Sequence, residues 1–194
     1  MLSSTEIARG TQGALGFLRR DPGAPFYFDN SFAACLRSFR VMVLAAPIYG
    51  LYLLIYYARV DVAADGWEIA AVEALHYIVD WLLFPVIFYE IARRRGWLER
   101  YPRYITALNW IGLPVMFMQL ASETAAAVAP ALVAALVGYG LQVLSFYWFL
   151  MATRMTLGTS WLFSGLLLAV NWVPSLLLLL IVNRFLEITA IAAS

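Results

Sequence analysis

Five long apolar runs separated by short polar segments dominate the chain. They lie at about residues 41–57, 69–92, 104–121, 127–151 and 160–182, each close to the roughly 20 apolar residues that a helix needs to cross a bilayer. The pattern predicts an all-α, polytopic membrane protein of five spans. Residues 1–30 form a cytoplasmic or interfacial N-terminal segment, and 31–194 form the five-helix domain. Within the segment, Thr5 to Arg20 reads as a weak helix interrupted by Gly10, Gly13 and Gly16, because glycine disfavours a helix interior. Pro22, Gly23 and Pro25 then break it, and Phe26, Tyr27 and Phe28 form an aromatic group suited to the headgroup level. Asp29, Asn30 and Ser31 offer N-caps for the first span. A tight connection around Glu123 joins spans three and four, and a short small-residue tail follows Glu187.

The second apolar run departs from the pattern. It carries Glu73, His76 and Asp80. At about 100° per residue the three fall within roughly 60° of arc, a single stripe about 10 Å long. Asp80 sits near the middle of the run, where a charge is costly unless paired, neutralised or hydrated. The stripe is therefore expected to face other helices or water. Asn109, Gln119, Gln142 and Asn171, one or more on each of spans three to five, are the candidate interior polar partners.

Composition narrows the class. Of the 194 residues 63% are hydrophobic, more than the half or so of a soluble domain. The net charge of +1 argues against nucleic acid as a partner. A single Cys35 excludes an intrachain disulfide and a cysteine metal cluster, and a single His76 excludes any one-chain site that needs two histidines. The first 30 residues lack the apolar run and small-residue cleavage site of a signal peptide.

All 13 basic residues are arginines, and their placement predicts orientation. Five lie in the N-terminal segment and the start of span one, five (Arg93, Arg94, Arg95, Arg100, Arg103) between spans two and three, and Arg154 between spans four and five. Only Arg59 and Arg184 fall on the other side. An eleven-to-two split places the amino terminus in the cytoplasm and the carboxyl terminus outside. The five arginines of the second loop are also a candidate contact for anionic lipid, although their role in setting topology accounts for them.

A small signature recurs. Asp80-Trp81-Leu82-Leu83-Phe84-Pro85 and Asn109-Trp110-Ile111-Gly112-Leu113-Pro114 share the skeleton [Asp/Asn]-Trp-x-x-x-Pro, and Asn171-Trp172-Val173-Pro174 is a shortened relative. Proline frees a backbone carbonyl one turn earlier, which a nearby polar side chain can occupy. The signature suggests that spans two, three and five share an interior. The block HYIVDWLLFP…EIARRRGWLERYPRYITALNW, with FDNSFAACLRSFRVMVLAAPIY before it, resembles a family of small bacterial inner-membrane proteins of unknown function. That resemblance implies a location in the inner membrane and no activity. In layout alone the chain is also similar to five-span proteins that shape membranes or assist trafficking.

The stripe admits few chemistries. Glu73-x-x-His76 matches half of a di-iron carboxylate motif, but no second histidine exists to complete it. Glu73 and Asp80 are about 10 Å apart along the axis, too far to share one ion comfortably. No metal and no cofactor is expected. No Ser or Cys shares the His76 face, so nucleophilic catalysis has little support; the question of an enzyme stays open and leans against one. Two readings remain. In the first, the stripe is a structural polar cluster of an accessory, scaffold or assembly protein, partnered by the bilayer and by its own copies or a larger complex. In the second, Glu73, His76 and Asp80 relay protons in a small proton-coupled transporter. The sequence favours the first by a small margin, because it shows no substrate motif, has short loops and carries no soluble domain.

Overall fold

Ser3 opens the first helix, α1 (Ser4–Leu18). Its hydroxyl accepts the Glu6 N–H at 3.1 Å, and the Glu6 carboxylate accepts the Ser3 N–H at 2.8 Å, a reciprocal cap that satisfies two otherwise free donors. The backbone and hydroxyl of Ser3 hold the exposed Glu6 carboxyl below its usual range. A carboxyl lowered on folding stabilises above its unfolded pKa of about 4.3, and that contribution is lost as pH falls through the folded value. The computed structural model describes residues 2–190.

The three glycines expected to weaken α1 form its contact face. Gly10, Gly13 and Gly16 are buried beside Ala14 and Phe17. A Cβ on Gly10 would stand 2.2 Å from the Trp110 ring, and one on Gly13 would stand 2.7 Å from the Phe28 ring. The Trp148 indole N–H donates to the Ala14 carbonyl at 2.7 Å. The chain turns through a 3-10 segment, Ala24–Tyr27, which lays Phe28 flat against Phe17 at 5.9 Å. Of the aromatic trio, Phe28 is buried and Phe26 is exposed.

The first span is longer than the expected 41–57. It comprises α2 (Phe32–Ser38), capped by Ser31, and α3 (Val41–Tyr57), together one apolar stretch of 26 residues. Then come α4 (Gly66–Arg95), α5 (Tyr101–Val128), α6 (Ala131–Leu157) and α7 (Trp161–Phe185). Asp65 caps α4 by accepting the Trp67 and Glu68 N–H groups. Gly96 and Gly158, both at φ of 70°, end α4 and α6 in the left-handed conformation that glycine adopts freely. The fold is all-α, with five helices long and apolar enough to span a membrane.

One expectation about the connections needs correction. Glu123 does not sit in a turn. The small residues after it carry α5 on to Val128, and the turn is Ala129–Pro130. Pro130 is thus the N-cap of α6 rather than a residue within a span. The helices also run unbroken through Pro47, Pro85, Pro114 and Pro174. Among the described residues no side chain bonds the carbonyls that three of these prolines free, those of Trp81, Trp110 and Val170. In the small-residue tail, β2 (Thr189–Ala190) pairs antiparallel with β1 (Val60–Asp61) in the loop before α4. Residues 191–194 of that tail lie outside the described residues.

α5 is the hub. It packs on α3 and α6 along its length and on α1 and α2 at its start, while α4 packs on α7 and α7 on α6. The five spans therefore follow the order α3, α5, α6, α7, α4 around a centre. Two of the three apolar clusters fill one half of the bundle along its axis. One joins Ala14, Phe17 and Phe28 to Trp110, Trp148 and Met151; the other joins Phe84 and Phe88 to Tyr104, Phe149 and Leu167. Besides α1 and Phe28, these come from the starts of α5 and α7 and the ends of α4 and α6, so the packed half is the arginine-rich end.

Gly10→Ala is expected to lower stability by about 1–3 kcal/mol, the cost of overpacking a close contact. Gly50→Ala, where nothing lies within 4 Å of the new methyl, should be neutral or stabilising. Thermal unfolding of both variants in detergent micelles checks the pair.

Candidate functional site: a polar cleft at the centre of the five spans

The half of the ring away from the arginines is hollow. A cavity of about 380 Å³ is lined by all five spans, including Tyr49, Tyr52 and Tyr56 of α3, Glu73, His76 and Asp80 of α4, and Gln119 and Glu123 of α5. Gln142 and Ser145 of α6 and Trp172 and Ser175 of α7 add to its polar lining. A second cavity of about 260 Å³ shares Asp80, Gln119, Gln142 and Ser145 with the first and reaches Asn109 and Asn171 toward the packed half.

Glu73 closes the ring between α3 and α4. Its carboxylate is 4% exposed yet accepts hydrogen bonds at both oxygens. Tyr49 donates to Oε2 and Tyr57 to Oε1, each at 2.6 Å. The two tyrosines are about 12 Å apart along α3, and Glu73 reaches both from between them. His76 Nδ1 stands 3.0 Å from Oε2 and 3.4 Å from the Tyr49 hydroxyl. Tyr77 adds a neighbouring tie, stacking on Tyr49 at 4.6 Å while its hydroxyl donates to the Met42 carbonyl at 2.6 Å. A buried carboxylate with several donors is satisfied in a way that an isolated one is not.

Asp80 stands apart from this cluster. It is accessible in both cavities, and among the described residues no protein group hydrogen-bonds it. The stripe read from the sequence thus divides: Glu73 and His76 bond each other, while Asp80 faces open space. Gln119, Gln142 and Asn171 line the same space, also with no protein hydrogen bond among the described residues. Asn109 differs, since its amide donates to the Ser38 hydroxyl at 2.8 Å, but it borders the second cavity. Asp80, Asn109 and Asn171 lead the three copies of the signature, and all three border that cavity. Among the described residues no three His, Cys, Asp or Glu side chains converge as metal ligands.

The arginine-rich loop is occupied by protein contacts. Arg93 and Arg94 bond Glu90. Arg95 lies 4.7 Å over the Phe163 ring. Arg100 donates to the Leu157 carbonyl at the end of α6, and Arg103 donates to the Phe28 carbonyl at 3.2 Å. The side chains of Arg93 and Arg94 remain 60% and 76% exposed, which leaves both surface for anionic headgroups.

Sequence reasoning missed the tyrosines as partners of Glu73 and the pairing of Arg59 with Glu123 at the rim. A signal was present for the first in the four tyrosines crowding the second half of α3, Tyr49, Tyr52, Tyr56 and Tyr57, of which the first and last bond Glu73. Comparisons of the chain with family models, with curated proteins and with solved structures found no match.

Tyr57→Phe removes one donor to a buried carboxylate and is expected to destabilise by about 1.5–3 kcal/mol. Tyr56→Phe, whose hydroxyl bonds nothing among the described residues, should have little effect. Denaturation of the two variants under one condition separates the cases.

Proposed function

We propose that the chain is a small multi-pass carrier of the bacterial inner membrane, which binds a polar solute in the central cleft and exchanges it against protons. The observation that carries this reading is the unpartnered Asp80, facing a cavity together with Gln119, Gln142 and Asn171. Free carboxyl and amide groups within a spanning bundle mark solute or ion pathways, because without water or a ligand each is costly there. Asp80 is the group that takes either a proton or the solute. Glu73 and His76, tied to α3, position the wall behind it and complete the polar line toward the rim.

The scaffold reading draws on a different observation. The Glu73–Tyr49–Tyr57–His76 network is satisfied within the chain, as a device that fixes helix register would be. It accounts for Glu73 and leaves Asp80 unexplained. In the proposed orientation the amino terminus is cytoplasmic and the carboxyl terminus outside, supported by the eleven arginines gathered at the packed end. The hollow half then faces outward, and the arginine-rich loop meets the cytoplasmic leaflet.

Two measurements test these proposals. Asp80→Asn should unfold at the same temperature as the wild type or higher between about pH 5 and pH 8, because a carboxylate kept for function is held at the expense of stability. A loss of several kcal/mol would make Asp80 a structural group and overturn the carrier reading. For orientation, Ala63→Cys and Leu98→Cys are placed singly on a Cys35→Ser background. A membrane-impermeant thiol reagent should label Ala63→Cys in intact cells and Leu98→Cys only after the membrane is opened; the reverse pattern inverts the topology.

A further inference from the structure

We infer that the solute of the cleft is a small organic cation, an alkyl or quaternary ammonium, held by Asp80 and by the faces of the aromatic side chains around it; this rests on the solute-binding reading above. The charges of the lining point that way. The two cavities are bordered by three carboxylates, Glu73, Asp80 and Glu123, and by no arginine. Glu123 is paired with Arg59, and Glu73 is bonded by His76 and two tyrosines. One carboxylate, Asp80, is left without a partner among the described residues, exposed in the open cleft. Its counter-charge must come from outside the chain.

The rest of the lining selects among counter-charges. Trp81 and Trp172 border both cavities, and Tyr49, Tyr52 and Tyr56 continue the aromatic wall toward the rim. A cation over such rings is attracted by the ring quadrupole. A bare metal ion wants several oxygen ligands close around it, whereas here one free carboxylate shares a cavity of about 380 Å³ with aromatic and amide groups. That volume lies in the range of small-molecule sites. The amide oxygens of Gln119, Gln142 and Asn171 can accept the N–H groups of a primary ammonium, and the rings can pack the methyl groups of a quaternary one.

The test is titration calorimetry of the purified full chain in detergent with butylammonium, tetramethylammonium and choline. The controls are 3,3-dimethyl-1-butanol, the uncharged isostere of choline, and sodium chloride. At least one organic cation should bind the wild type about tenfold or more tightly than the isostere and than sodium. Asp80→Asn should abolish that binding, and Trp172→Leu should weaken it several-fold, as the loss of one cation–π contact would. Trp172 is partly exposed to the cleft, so its variant keeps the proposal testable even if Asp80→Asn does not fold. Equal binding of the isostere and choline would overturn the inference while leaving a solute site in place. Sodium binding that Trp172→Leu does not weaken would overturn it in favour of an inorganic cation. No binding of any probe would overturn both the inference and the carrier reading.

Discussion

The structure turns on a buried carboxylate that has to be satisfied. Glu73 lies in a helix that otherwise reads as a membrane span, and three side chains converge on it. Two of them come from α3, so the demand of one charge becomes the tie between two helices. Tyrosine is a long connector. It joins α3 to α4 without close backbone packing, whereas α5 lies tightly against α3 and α6. Gly138 marks that tight contact, since a Cβ there would come within 3.1 Å of the Ser122 hydroxyl. The ring is thus closely packed on the α5 side and propped open by hydroxyls on the α4 side, and the cleft is the space this asymmetry leaves.

The same asymmetry appears along the bundle axis. Aromatic and aliphatic side chains fill the end where α5 begins, and α1 seals that end from outside by fitting its glycine face to Trp110 and its Ala14 carbonyl to Trp148. At the other end, polar side chains face each other across open volume, and the rim is held by the Arg59–Glu123 pair and by the short β1–β2 pairing. The N-terminal segment is therefore part of the core rather than an attachment to it. Its low helix propensity is offset by what the glycines allow to come close.

Much of this was legible in the sequence, at the level where local rules suffice. Five apolar runs announced five helices long and apolar enough to span a membrane, and Ser31, among the caps offered, stands where α2 begins. The repeated Asp/Asn-Trp signature led to residues that border one cavity, although not through the proline-freed carbonyls it suggested. The rest depended on which faces meet. Helical spacing puts Glu73, His76 and Asp80 on one stripe, but it cannot say that α3 offers hydroxyls at the level of Glu73 and nothing at the level of Asp80. In the same way, glycine propensity describes an isolated helix, and Gly10 became a contact residue only because Trp110 lies against it. Glu123 read as a turn residue because a charge interrupts an apolar run, whereas its partner Arg59 is far away in sequence.

The division into a filled half and a hollow half has an electrical consequence. Water entering a polar cavity conducts the external potential inward, so in a bilayer most of the transmembrane voltage would drop across the aromatic layer of Phe84, Phe88, Tyr104 and Phe149. An ion arriving at Asp80 from the open side would cross little of the field. Moving it onward would cross nearly all of it, about 2.3 kcal/mol per elementary charge at 100 mV. Occupancy of the cleft would then be almost insensitive to membrane potential, and passage beyond it steeply sensitive, with the boundary set by where side-chain packing begins.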